Sequence, residues 1–432
     1  MHRDKLLILG AGITGLSAGV SLSKEIYEAN NIPGGICTSY YVNPESKKTY
    51  LYTDGETYRF EIGGGHWIHG ADDYVMKFIN RLSPVKCYER KSAVYFPDWD
   101  LYVPYPLQNH LSYLPRDIAR KALDEIIQSD HRKDVFILAD WLRLHFGKTL
   151  CELFFFPFHE LYTAGLFTKI EPQDKYKTPV DKEQIIKGFK EKIPPAGYNT
   201  TFVYPERGLD GLIDKMAKAC KVNFNKEVNE IDTKKREIFF KDGTSAKYKD
   251  LISTLPLNKV IKLTNLSVDE LEPPYTSVLV INIGAKKGSR CPDHHWLYIP
   301  KSKSGFHRVG FYSNVDSSFL PKSSRGNNDR VAIYVEKAYL PKKNLEAEEI
   351  KRSCNEVVKE LQSWMFIDEA EVIDPTWIEI AYTWSYPGSK WKHGAIQLLR
   401  QNGIYQIGRY GLWECQGIAK SIKDGLQVKY GR

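Results

Sequence analysis

Six residues near the N-terminus, Gly10-Ala11-Gly12-Ile13-Thr14-Gly15, have the types and spacing that bind a dinucleotide pyrophosphate. Gly10 permits a sharp reversal, Gly12 lets backbone approach phosphate with no Cβ between them, and Gly15 lets the next helix pack against the preceding strand. The exposed N–H groups at the start of that helix receive the negative charge. Glu28 ends a second short strand, Glu25 to Glu28, at the distance where an acidic residue grips a ribose hydroxyl. Strand, glycine turn, helix, second strand and acid in this order separate a nucleotide site from an ordinary glycine-rich turn.

The residues that follow decide between dinucleotides. Asn31-Ile32-Pro33-Gly34-Gly35 and Glu61-Ile62-Gly63-Gly64-Gly65-His66-Trp67-Ile68-His69 are glycine clusters suited to backbone lying against a large flat ligand. An NAD dehydrogenase continues here with another strand–helix pair. This chain instead makes an antiparallel excursion, Thr49 to Thr53 and Thr57 to Ile62, and returns to a glycine–histidine loop. That detour reads as FAD. Short strands at Val222 to Phe224, Val228 to Ile231, Glu237 to Phe240 and Asp250 to Ser253 fit the same class.

The elements that position these residues divide into lobes. Apolar spacing predicts helices over Leu114 to Gln128, Leu138 to Phe146 and Leu150 to Leu161, with Ser112 and Asp140 as starts. A further helix is expected at Lys182 to Lys192, inside a polar, proline-punctuated stretch. Val278 to Ile283, His295 to Ile299, Arg308 to Ser313 and Arg330 to Glu336 read as an antiparallel sheet, followed by a helix from Glu346 to Met365. Val372 to Tyr382, Gly403 to Ile407 and a closing helix over Ala419 to Val428 return the chain to the first lobe. The expected division is an FAD-binding domain in three parts (1–94, 201–265 and 371–432), a mainly helical substrate domain (95–200) and an antiparallel sheet substrate domain (266–370). Active sites in such arrangements lie where lobes meet.

Composition narrows the function class. With 42% hydrophobic and 26% charged residues the chain is globular, and no apolar run reaches the ~18 residues of a membrane span. Met1-His2-Arg3-Asp4-Lys5 leads directly into the first strand, which leaves no room for a secretory segment. Seven cysteines with no Cys-x-x-Cys argue against a disulfide framework and against zinc, so no metal and a cytoplasmic location are expected. The net charge of +8 is scattered, with no basic stripe of interleaved aromatics, so a nucleic-acid partner is not expected, and an anionic small substrate or a solvated surface accounts for the charge.

Five ordered motifs resemble the UDP-galactopyranose mutases, especially the eukaryotic type. They are Gly65-His66 with His69; the string Val103 to Pro115; Gly197-Tyr198-Asn199-Thr200-Thr201-Phe202-Val203-Tyr204-Pro205; Trp296-Leu297-Tyr298-Ile299-Pro300 leading to Phe306-His307-Arg308; and Gly408-Arg409-Tyr410-Gly411-Leu412-Trp413-Glu414. The resemblance implies an α/β fold, FAD-binding and Rossmann-like, of the two-dinucleotide-binding, amine-oxidase/mutase type, with inserted helical and antiparallel sheet domains. It also implies a reaction in which flavin must be reduced although no net redox occurs. N5 of reduced FAD attacks the anomeric carbon and expels the nucleotide diphosphate; the sugar ring opens, recloses as a furanose, and the nucleotide returns. NADPH or NADH is the implied reductant, and the oligomeric state is left open, since the family uses monomers, dimers and tetramers.

By the same resemblance His66 sits over the flavin and answers its redox state, and Arg308 forks onto the pyrophosphate. Gly34, Gly35, Gly64, Gly65, Gly408 and Arg409 approach the flavin, and Val228 meets adenine through its backbone. Tyr105 and Gln108 face uracil, Asn199 the phosphates or sugar, Trp296 and Tyr298 the sugar and phosphate, and Tyr386 a phosphate oxygen.

Departures from the family fall at the nucleotide end. The second pyrophosphate arginine is replaced by Asp174-Lys175-Tyr176-Lys177-Thr178-Pro179, where Lys177 substitutes a point charge for a fork. Val315 and Cys415 stand where tyrosines are expected, and His159 and Thr163 or a neighbour where an asparagine and a tryptophan hold uridine. The competing reading is an FAD-dependent oxidase or dehydrogenase of the amine oxidase or protoporphyrinogen oxidase type, which removes hydride from an apolar substrate.

Overall fold

A computed structural model describes residues 5–45, 47–129, 133–173, 180–194 and 199–431. Leu6–Leu9, four apolar residues in a row, is buried on both faces, as a central parallel strand must be. It lies third in a five-stranded parallel sheet ordered Val222–Asn223, Glu25–Tyr27, Leu6–Leu9, Asp250–Ser253 and Ile404–Gln406. Three distant stretches of sequence therefore build one nucleotide-type sheet, a Rossmann-like α/β fold. The helix Ile13–Leu22 follows the first strand, and the last helix, Ile418–Leu426, packs on it. Their approach is so close that a Cβ on Gly425 would stand 2.3 Å from the Thr14 carbonyl oxygen.

The excursion before the glycine–histidine loop differs from expectation. Its central strand is Ser39–Val42, flanked by Lys48–Thr49 and Tyr58–Glu61, while residues 50–53 are not strand. Ser39–Val42 is buried throughout, so it lacks the polar–apolar alternation that marks a half-exposed strand.

A seven-stranded sheet carries the far side of the molecule. Its order is Ile367–Thr383, Tyr275–Lys287, Arg330–Tyr339, Arg308–Phe311, Trp296–Tyr298, Ser92–Phe96 and Leu101–Pro104. Ser92–Phe96 and Leu101–Pro104 form the edge of this sheet. Register puts Tyr298 opposite Arg308, and Arg308 opposite Glu336, so these three share one face across adjacent strands. Two residues along, Trp296, Gly310 and Tyr334 form the next row. The expected continuation to Ser313 turns instead into a short helix, Tyr312–Val315.

The helical lobe contains Arg116–Gln128, Leu138–Leu150 and Lys182–Lys190. Pro115, not Ser112, precedes the first, and the second begins at Leu138, ahead of Asp140. Gly147, at φ 71°, kinks the second helix. A π-helical turn over Cys151–Phe155 then runs into Phe156–Tyr162, and such turns gather at functional sites. Among the described residues no helix is long and apolar enough to cross a membrane.

Candidate functional site

A cavity of about 1200 Å3 extends from the glycine turn at Gly12–Thr14 to Arg308 on the antiparallel sheet. At the turn, Gly10 has φ 93° and leaves no room for a side chain, because a Cβ there would lie 2.3 Å from Thr254 Oγ1. Gly15 is tighter still: its Cβ would stand 1.9 Å from the Gly10 carbonyl oxygen. Gly12 has nothing within 4 Å of that position, so open space meets the backbone at the first turn of the helix. Glu28 is buried and holds the turn itself, its Oε2 accepting from the Ala11 N–H at 2.7 Å and its Oε1 from the Asn30 N–H at 2.9 Å. Gly34 and Gly35, at φ 102° and 57°, pass beside Gly12, and Gly408 at φ 74° brings the C-terminal segment against Thr14.

The middle of the cavity belongs to the glycine–histidine loop. His66 Nδ1 lies 3.0 Å from the Gly64 carbonyl oxygen. Burial first, with Arg409 and Arg308 adding to it, lowers the His66 pKa against the opposing pull of that hydrogen bond. The ring is neutral near pH 7, and the bond to a carbonyl assigns its proton to Nδ1 and leaves Nε2 an acceptor. Gly65 and Gly310 form a slot for Tyr334: Cβ atoms there would stand 2.2 Å from its hydroxyl and 2.0 Å from its Cζ. Arg409 also lines the cavity, donating to the carbonyl oxygens of Ala381 at 2.8 Å and Gln416 at 3.2 Å.

Charge concentrates at the far end. Arg308 Nη1 donates to Glu336 Oε1 at 3.2 Å, and its Nε has no protein partner among the described residues. Tyr382 donates its hydroxyl to Glu336 Oε2 at 2.9 Å, and His307 Nε2 stands 3.4 Å from the same oxygen. Burial works to raise the Glu336 pKa, but the Arg308 guanidinium, with His307 and Tyr382, outweighs it and holds the carboxyl at about 2. Burial likewise opposes the charge of Arg308, and Glu336 overrides it. Both groups are therefore ionised.

Aromatic rings wall this end. Tyr105 and Tyr298 approach to 4.5 Å between centroids, Phe158 meets Tyr298 at 5.5 Å, and Tyr162 meets Tyr382 at 4.8 Å. His159 lines the wall next to Phe158, its Nδ1 2.7 Å from the Phe155 carbonyl oxygen, and burial lowers its pKa to about 4. Asn199, at φ 55°, and Trp296 line the cavity on the side of His69.

The structure thus brings Gly12, Ile13, Thr14, Gly34, Gly35, Gly65, His66, Tyr105, His159, Asn199, Trp296, Tyr298, Arg308, Gly408 and Arg409 around one space. Gly10, Gly15, Glu28 and Gly64 shape its walls from behind. Gln108 does not reach it, being fully buried in the turn Leu107–Asn109 beneath the helix Lys182–Lys190. Val228, in the outer hairpin, and Tyr386, after the long strand, also lie off its lining. Lys177 lies outside the described residues.

Glu336, Tyr334 and Tyr382 join this space without having been singled out by the sequence. A signal for Glu336 exists: it follows directly on the run Val331–Val335 in the same strand, where an ionised group needs a partner.

The turn with open space at Gly12, the adjoining glycine walls and the elongated cavity fit a flavin dinucleotide. Among solved structures, reduced UDP-galactopyranose mutase superposes with a TM-score of 0.83 at 24% identity, covering 99% of this chain and 93% of that one. A putative protoporphyrinogen oxidase from Exiguobacterium sp. 255-15 gives 0.72 at 14% identity, with 99% and 98% covered. Putrescine oxidase bound to putrescine gives 0.55 at 15% identity, again with 99% and 98% covered. These likenesses share the fold across both mutases and oxidases. The sequence profile described as flavin containing amine oxidoreductase matches residues 13–427, nearly the whole chain, and the protein accordingly belongs to that family of flavin enzymes.

Proposed function

We propose that this chain is a flavin-dependent mutase that interconverts the pyranose and furanose forms of a nucleotide diphosphate sugar, with UDP-galactose the first substrate to try. The observation that carries this reading is Arg308, a charged guanidinium on the cavity wall with donor capacity left over after its bond to Glu336. An oxidase acting on apolar or cationic substrates has little use for such a group.

FAD is the proposed cofactor, with NADPH or NADH as reductant. When bound and reduced, it supplies a nucleophilic ring nitrogen for the anomeric carbon. The residues of the chain do the rest. Arg308 neutralises the diphosphate as it leaves and keeps it within reach for return, a charge-assisted grip. Tyr298, Tyr105 and Trp296 offer faces to the sugar and base and exclude water, and Asn199 offers an amide to the sugar or phosphates. His66, neutral with Nε2 as acceptor, can hold a proton near the flavin. In this role Tyr334 and its glycine slot keep the loop close to the sheet.

A second reading, an FAD-dependent oxidase or dehydrogenase, is favoured by one observation: Trp141, Leu142, Phe154 and Phe155 give the helical side of the cavity an apolar wall. Anaerobic mixing separates the two. Under the mutase reading the oxidised flavin spectrum shifts slightly on adding UDP-galactose and is not bleached. Bleaching by an amine or a porphyrinogen, with no response to the nucleotide sugar, would establish the oxidase.

A further inference from the structure

Glu336 is the carboxylate most heavily engaged in the cavity, and the reaction proposed above assigns it no task. It lies on the strand next to Arg308 and directly opposite it, so backbone register, not a flexible approach, fixes their meeting. Oε1 takes the Nη1 corner of Arg308 at 3.2 Å, while Oε2 accepts from Tyr382 at 2.9 Å. On its other side Glu336 touches the glycine–histidine loop: a Cβ on Gly64 would stand 3.4 Å from Oε1. A buried carboxylate of this kind is expensive unless paired, and its partner here is the residue that must also hold an anion.

A guanidinium presents two edges to oxyanions, each made of two N–H groups. With Nη1 engaged, Nε is buried with no protein partner among the described residues, which leaves the Nε–Nη2 edge for a ligand to satisfy. The carboxylate also offsets the positive charge, so an arriving diphosphate meets a guanidinium that is already half-satisfied.

We propose that Glu336 is a positioning residue that clamps Arg308 by one corner, reserves the Nε–Nη2 edge for the diphosphate and restrains how tightly it is held. The inference rests on the nucleotide-sugar reading for the identity of the anion, and not for the clamp itself. A leaving group that must depart and return is served by a grip that is directional and moderate.

Two measurements on the flavin-loaded protein test this. The first uses no nucleotide: phenylglyoxal labelling of Arg308, mapped by peptide mass spectrometry, with Arg409 as internal reference. Glu336→Ala, which frees the corner, should raise Arg308 labelling at least fivefold relative to Arg409, and Glu336→Gln, which removes the charge that holds the guanidinium protonated, at least twofold; an unchanged ratio overturns the clamp. The second is UDP titration. Glu336→Gln, which removes the charge and keeps an acceptor for Tyr382, should tighten UDP binding at least threefold, whereas Glu336→Ala, which frees the guanidinium, should weaken it at least threefold. Equal or weaker binding by Glu336→Gln overturns the restraint. If Glu336→Ala does not retain flavin, the Glu336→Gln results decide alone. If the unmodified protein binds no UDP, the nucleotide-sugar reading fails and the labelling ratio still decides the role of Glu336.

Discussion

Gly408 stands directly against Thr14: a Cβ on Gly408 would lie 2.6 Å from Thr14 Oγ1, although the two residues are at opposite ends of the chain. The glycine turn is therefore closed by the C-terminal segment, and helix Ile418–Leu426 aligns along helix Ile13–Leu22 behind it. A side chain at Gly408 would push that segment off the turn. Gly408→Ala should lower flavin content and the melting temperature together, measured by flavin absorbance and calorimetry on the same sample.

Gly12 and Gly15 separate cofactor binding from folding. Gly15→Ala drives a Cβ into the Gly10 carbonyl oxygen and should destabilise the protein by about 2 kcal/mol or more, with or without flavin. Gly12→Ala meets no protein atom within 4 Å. It should melt like the unmodified apoprotein yet bind flavin at least tenfold more weakly in equilibrium dialysis.

Arg308→Lys keeps a positive charge and loses the fork, and Arg308→Ala loses both. UDP affinity should fall by about 1 to 3 kcal/mol for the alanine variant, with the lysine variant between it and the unmodified protein. The bound-flavin spectrum should stay intact in both. Isothermal titration with UDP checks the order of the three proteins, and equal affinity in all three would remove Arg308 from the site.

Glu61 gives a pH signature. It is fully buried behind the glycine–histidine loop, accepts from Ser39 Oγ at 2.9 Å and from the Tyr204 hydroxyl, and its Oε2 has no partner among the described residues. Burial, opposed by Tyr204, Arg59 and Ser39, raises its pKa from 4.5 to about 8. In the unfolded chain it loses its proton first, so its contribution to stability is complete below pH 4.5 and is lost as pH rises through about 8. Every tenfold difference in proton affinity between the folded and unfolded chain corresponds to about 1.4 kcal/mol. Glu61→Gln should flatten the fall in melting temperature between about pH 4.5 and 8, and a variant with the slope of the unmodified protein would refute the assignment.

The slot for Tyr334 makes a further expectation. Gly310→Ala places a Cβ 2.0 Å from Tyr334 Cζ and should displace the ring toward Gly65, at a cost of about 1 to 3 kcal/mol. Near-ultraviolet circular dichroism, which reports tyrosine packing, should change along with the melting temperature.

The parts of this molecule that local chemistry dictates are readable in its sequence. The turn at Gly10–Gly15 is one, because each glycine answers a steric demand within a few residues. Gly147 is another, since it interrupts the apolar spacing between Phe146 and Leu150. Pairings between distant strands are not readable. The row Tyr298, Arg308 and Glu336 depends on a register joining residues 28 apart, and nothing near Arg308 announces which residue lies opposite. Val85–Glu89 pairs with Thr201–Pro205 across the whole helical lobe, for which the sequence holds no local signal. Gln108 shows the converse: the family resemblance assigns it to the base, yet the turn at Leu107–Asn109 buries it. The helix Trp391–Gln401 is not legible because the glycine and histidine at its start mask its apolar face.

The proposed mutase rearranges a nucleotide sugar without consuming an oxidant. Dithionite-reduced protein, kept anaerobic with UDP-galactofuranose, should produce UDP-galactopyranose in amounts far above the enzyme concentration, separated by anion-exchange chromatography, while the oxidised protein produces none. Recovery of unchanged UDP-galactofuranose from the reduced protein, at a concentration where UDP itself binds, would rule out the mutase.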